Sequence, residues 1–85
     1  MVNVIEIGGY AVSRAGHDFG KKYVIFDIED EYVYLVDGKI RTIDHPKKKK
    51  KMHLTMLKDF EITLSDKVKN RTVKNEEIKK ALKLL

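Results

Sequence analysis

Two alternating runs between positions 22 and 43 constrain the fold of this chain more than anything else in it. In KYVIFDIE, Lys22 to Glu29, the residues Val24, Phe26 and Ile28 fall on one face and Tyr23, Ile25, Asp27 and Glu29 on the other. Period-two patterning rich in β-branched and aromatic residues is the mark of a strand with one buried side. EYVYLV comes next, after an acidic turn around Asp30, and then Asp37-Gly38, a two-residue hairpin signal. That turn predicts cross-strand neighbours Val36 with Lys39, Leu35 with Ile40, Tyr34 with Arg41, Val33 with Thr42 and Tyr32 with Ile43. One face is then Val33, Leu35, Ile40 and Thr42, and the other carries Tyr32, Tyr34 and Arg41. A slip of one residue exchanges the two faces.

Charge governs the segment after the hairpin. Pro46 cannot donate to a ladder and is expected to end the hairpin. Lys47 to Lys51 are five adjacent cations, which repel one another and read as a solvated loop rather than a strand. Beyond them Phe60, Ile62 and Leu64 alternate with Glu61 and Thr63, suggesting a final strand. Asn75 can cap a helix whose first turn holds Glu76 and Glu77, favourable beside the positive end of the helix dipole. Ile78, Ala81, Leu82 and Leu85 then keep helical spacing, and so short a helix must dock that stripe on something.

A chain of 85 residues holds one small domain with a modest core. It has no cysteine, so neither a disulfide nor a thiolate metal site supplements that core. The first dozen residues lack a basic start and include Glu6, and no apolar run approaches membrane-spanning length, so an intracellular, cytoplasmic, soluble monomer is expected. The formal net charge is +5, and it is concentrated. Between Asp27 and Asp37 lie five acids and no base, whereas Lys39 to His53 carries seven positive charges against Asp44 alone. A basic segment of that density points to a polyanionic partner.

The run Tyr10-Ala-Val12-Ser-Arg14-Ala-Gly16-His-Asp18-Phe-Gly20-Lys21, then Asp37-Gly38-Lys39, then Pro46 with its lysines, resembles a KOW domain. More narrowly, it is similar to KOW proteins related to archaeal and eukaryotic large-subunit ribosomal protein fourteen, including small bacterial relatives. The similarity covers residues 8 to 57, with the helix start at Asn75 to Leu82 also alike. It implies a mainly β fold: an SH3-like barrel over about residues 8–64, with a short C-terminal helix over about 76–85, in a single domain of 1–85. It also implies a ribosomal RNA partner, with ribosomal proteins as further partners, and a role in ribosome structure, assembly or translation. Gly16 and Gly20 are then structural loop residues, Gly16 at a positive φ or a close backbone approach. His17 and Phe19 stand where members often carry bases, which lowers the charge of that loop.

The residues assigned to RNA contact are Arg14, Lys21 and Lys22 in and beside the loop, Tyr34, Lys39 and Arg41 on the hairpin, and Lys47, Lys48, Lys49, Lys50 and Lys51. Each has a plainer alternative: a turn that touches nothing for the glycines, a solvated loop or a transport signal for the lysines, and a core position for Tyr32 and Tyr34. Catalysis finds little support, because His17-Asp18 has no nucleophile at a recognisable spacing. His17, His45 and His53 lack metal-ligand spacing, and no phosphate-binding glycine pattern is present, so neither metal nor cofactor is expected. The competing function is an SH3-like module that binds polypeptides, with the acidic turn as its specificity element.

Overall fold

A computed structural model describes residues 4–85. Five strands form one antiparallel sheet: β1 (Tyr10–Ser13), β2 (Lys22–Glu29), β3 (Tyr32–Val36), β4 (Lys47–Lys50) and β5 (Leu54–Met56), in the order β4-β3-β2-β1-β5. A 3-10 turn at Lys51–His53 joins β4 to β5, and two helices come after, α1 (Ile62–Lys69) and α2 (Asn75–Lys83). The fold is therefore mainly β, as expected.

Chain length forces the sheet to curl. β4 and β5 are its two edges, which in a flat sheet would lie roughly 19 Å apart across four strand spacings. The four steps from Lys50 to Leu54 reach at most about 14 Å. The curl encloses Ala11, Tyr23, Ile25, Val33, Leu35 and Leu54. On the outer face Tyr10, Val24 and Val36 pack against Leu64, Val68, Val73 and Ile78 from the helical segment. Ile78 is fully buried, with Ala81, Leu82 and Leu85 partly buried against the same cluster. The stripe read from α2 thus docks as its spacing requires, over Asn75–Lys83 rather than 76–85.

β2 occupies the span expected of it, but its faces exchange part-way. The pairing with β3 runs Val24 to Val36 and Ile25 to Leu35, then skips Phe26 and resumes with Asp27 to Tyr34. This bulge moves Ile28 to the inner cluster with Ile25, whereas simple alternation groups it with Val24 and Phe26. Arg71 holds the bulge from outside, its guanidinium 4.4 Å from the Phe26 ring centre and 2.8 Å from the Asp27 carboxylate.

Three expectations are overturned. Asp37-Gly38 is not a two-residue hairpin turn. The Asp37 carboxylate accepts from the backbone N–H groups of Lys39, Ile40 and Arg41, at 2.9, 3.0 and 2.8 Å, which winds the chain into a loop. Gly38 has φ +77°, and a Cβ there would lie 2.3 Å from the Asn75 carbonyl oxygen, so this glycine serves a close approach to α2. Second, the lysines are not a solvated loop. Lys47–Lys50 form β4, paired to β3 as Leu35 with Lys47, Val33 with Lys49, Tyr34 with Lys48 and Tyr32 with Lys50. Pro46 accordingly precedes a strand instead of closing a hairpin, and Tyr34 faces Lys48, not Arg41. Third, Phe60 to Leu64 is not a strand. α1 starts at Ile62 with Glu61 accepting from the Thr63 N–H, and it buries Leu64, Ser65 and Val68 on one side. Ser65 Oγ then donates to the Ile7 carbonyl at 2.8 Å, pinning the helix to the segment before β1.

Candidate nucleic-acid interface

Strand pairing turns the lysines of β4 alternately to opposite faces of the sheet. Lys47 and Lys49 lie opposite Leu35 and Val33, on the side of the enclosed core, while Lys48 and Lys50 lie opposite Tyr34 and Tyr32 on the outer face. Inward-facing lysines need a counter-charge, and it comes from Asp18 in the loop between β1 and β2. Lys49 Nζ is 2.8 Å and Lys47 Nζ 3.1 Å from its two carboxylate oxygens. The Ser13 hydroxyl donates to the same carboxylate at 2.8 Å and the Tyr23 hydroxyl at 2.9 Å. Burial alone would raise the Asp18 pKa, but donation from Lys49, Ser13, Tyr23 and Lys47 outweighs it and holds the carboxyl far below its usual range. Tyr23 moves the other way: its burial, and then its bond to Asp18, push the phenol up. Lys49 also donates to the Ala15 carbonyl at 2.7 Å, so β4 and the loop form one bonded unit.

That loop depends on its glycines. Gly16 and Gly20 adopt φ +82° and +86°, as the resemblance implied for Gly16, and among the described residues beyond its chain neighbours a Cβ at Gly16 would lie within 4 Å of Asp18 Oδ1 and Lys49 Nζ alone. Two hydrogen bonds between Ser13 and the Gly20-Lys21 backbone close its base. Arg14 and Lys22 are exposed at its ends, and Phe19, 66% exposed, stands at its tip. A second loop is tied to the first by Lys21, whose ammonium lies 2.8 Å from Asp37. The Asp37 carboxyl is disfavoured as an anion by burial, yet Lys21 and the backbone donors at Lys39 and Arg41 lower its pKa overall. Lys39 is exposed on this second loop, and Arg41 is half-buried.

The outer face beyond the helices is striped by charge. Asp27 and Glu29 on β2, Tyr34 and Tyr32 on β3, and Lys48 and Lys50 on β4 form three rows, acidic, aromatic and basic. Both tyrosines are half-exposed, which decides against a core position. Tyr34 donates its hydroxyl to Glu29 at 2.9 Å, and Lys48 Nζ sits 4.5 Å from the Tyr32 ring centre.

Of the residues assigned from the sequence, Arg14, Lys22, Lys39, Lys48 and Lys50 present exposed cations, and Tyr34 an accessible ring. Lys51 is half-buried, its backbone N–H bonded to the Glu31 carbonyl. Lys21, Lys47 and Lys49 lie in the same region but are committed to the Asp37 and Asp18 carboxylates. Sequence reasoning missed Asp18 as a partner of the lysines, and it weighed Tyr32 beside Tyr34 without assigning it to contact. Asp18 carried no signal beyond its place between two glycines, because its role emerges only when β4 pairs with β3 and turns two lysines inward.

No family model matches the chain, and no curated protein matches it.

Proposed function

We propose that this protein is a KOW-type, SH3-like barrel that binds structured ribosomal RNA, in ribosome assembly or translation, by electrostatic docking of β4 and the two loops beside it. The observation that carries this reading is the pairing of outward Lys48 and Lys50 with the half-exposed rings of Tyr34 and Tyr32. Cations beside accessible aromatic faces suit a phosphate backbone with unpaired bases near it. The curl of the sheet and the 3-10 link between its edge strands support the barrel assignment. Specificity in such a mode comes from RNA shape, since phosphate contacts position a protein without reading bases.

The test is a salt titration of binding to ribosomal RNA fragments. Each phosphate contact contributes about 0.7 to 0.9 to the slope of log affinity against log salt. Lys48→Gln with Lys50→Gln should therefore flatten the slope by roughly 1.4 to 1.8 and weaken unrelated RNA sequences alike. Tyr34→Ala should weaken binding and leave the slope nearly intact. If the intact protein ignores RNA at low salt but retains a polypeptide partner, the reading passes to the interaction module, with the exposed Glu29, Asp30 and Glu31 turn as its contact.

A further inference from the structure

The helices form a second concave site, unrelated to the lysine strand. Between α1 and α2 lies a groove of about 670 Å³, within the range of small-ligand and side-chain pockets. Leu64, Ala81 and Leu85 line it, while Phe60 and Leu84 flank it at 44% and 77% exposure. Lys67 and Glu77 on its walls are paired to each other, which leaves Lys80 as the only unpaired cation lining it among the described residues.

Its other end is anionic. Asp59 forms no ion pair among the described residues, and Glu61 spends one carboxylate oxygen on capping α1. Tyr10 lies in the floor, and its hydroxyl has no hydrogen-bond partner among the described residues, though it is not sealed from solvent. Burial first, then the nearby Glu61 and Asp59 charges, raise the Tyr10 pKa, consistent with two carboxylates close to that hydroxyl. On a chain of net charge +5, an apolar groove ending in two carboxylates and a free phenol repels phosphate and favours a cation.

We propose that this groove docks a partner polypeptide that places a large apolar side chain between Phe60 and Leu84 and an adjacent arginine or lysine against Asp59, Glu61 and the Tyr10 hydroxyl. The apolar residue takes its affinity from covering exposed Phe60 and Leu84, and the cation fixes the direction of the bound segment. The site is independent of RNA binding. A groove that selects a cation and a strand that selects an anion let one small domain hold both partners.

The test uses two blocked tetrapeptides, leucine-leucine-arginine-leucine and the same peptide with glutamate for arginine, titrated into isotopically labelled protein and followed by backbone amide NMR shifts. The arginine peptide should give saturable shifts centred on residues 59–64 and 81–85, and the glutamate peptide should not. Asp59→Asn with Glu61→Gln retains the cap acceptor and should weaken the arginine peptide roughly threefold or more. Tyr10→Phe, which keeps the buried ring, should weaken it in the same direction, and neither variant should change RNA affinity beyond a small field effect. Equal shifts from both peptides, or no saturable shift at the groove, would overturn the proposal. So would sedimentation showing a dimer that Leu84→Lys disperses, because the groove would then be covered by a second copy.

Discussion

Asp18→Asn removes one charge from a site where at least one cation is largely shielded from water. The Asp18 and Lys49 side chains are 9% and 10% exposed, whereas Lys47 at 26% can swing outward, so the cost is set by a single stranded ammonium. Breaking a buried pair by removing one partner costs about 3–5 kcal/mol. Lys49 keeps its bond to the Ala15 carbonyl, and asparagine can still accept from Ser13 or Tyr23, which argues for the lower end, about 3 kcal/mol. Domains of this size have a total stability of roughly 4–13 kcal/mol, so the loss is large. Thermal unfolding should shift down by roughly 12–24 °C, at about 4–8 °C per kcal/mol. Calorimetry of three variants checks the mechanism: Asp18→Asn, Lys49→Met and the pair together. The double variant should regain at least half the loss, since an apolar side chain in place of the stranded ammonium removes the unpaired charge. The pH dependence has a definite sign. Asp18 has its folded pKa depressed, so its contribution is fully present above the unfolded value of about 3.9 and is lost as pH falls through the acid range toward the folded value. The acid limb of the stability curve should therefore be shallower in Asp18→Asn. A loss under about 1 kcal/mol, or a double variant no more stable than Asp18→Asn, would show that Lys49 leaves the core freely and that Asp18 is not its anchor.

Gly16→Val places a β-branched residue at φ +82°, where its Cβ meets Asp18 and Lys49 only at ordinary van der Waals distance, so its cost is chiefly conformational, at least about 1–2 kcal/mol by chemical denaturation, whereas no loss would remove the positive-φ requirement. Gly38→Ala should cost more than Gly16→Ala, because its Cβ meets the Asn75 carbonyl as well as the backbone penalty; equal midpoints in parallel urea melts would contradict the close approach. Ile78→Ala should cost about 2–5 kcal/mol and release α2, read as lost amide protection along Asn75–Lys83, and full protection in that variant would separate α2 from the core.

Local pattern was informative where one face of an element meets one core. The apolar stripe of α2 was legible for that reason, as was the grouping of Val33 with Leu35 and of Tyr32 with Tyr34 on β3; for β2 only the span was legible, because it serves both clusters and a bulge exchanges its faces. Failures came where a distant partner decides. Lysine is a poor strand former, but β3 has an edge to pair and Asp18 gives the two side chains turned inward a shared ion-pair partner, so tertiary context overrides propensity. Five residues from Phe60 to Leu64 are too few to tell period two from period 3.6, and the deciding neighbour, Ile7, lies far away in sequence. Asp37-Gly38 has hairpin composition, yet its carboxylate captures three N–H groups of its own loop and Gly38 is needed by α2. At the candidate interface, the sequence counted every cation of 47–51 as available, and side-chain direction withdrew two.

The charge stripes also bear on events before contact. Glu29 on β2 and the lysines on β4, with the uncharged rings of β3 between them, create a field gradient within the plane of the face, directed across the strands, while Asp27 in the acidic row is offset by Arg71. An elongated polyanion drifting toward it is pulled at one row and pushed at the other, so it experiences a torque as well as an attraction. Under the proposed RNA reading, such a partner would arrive already turned parallel to β4, and fewer orientations would be wasted in the encounter. Neutralising Glu29 removes the push without touching any lysine and leaves the Asp27–Arg71 pair intact. Such a change would raise long-range attraction yet broaden the angles of approach, a kinetic trade that equilibrium binding alone does not register.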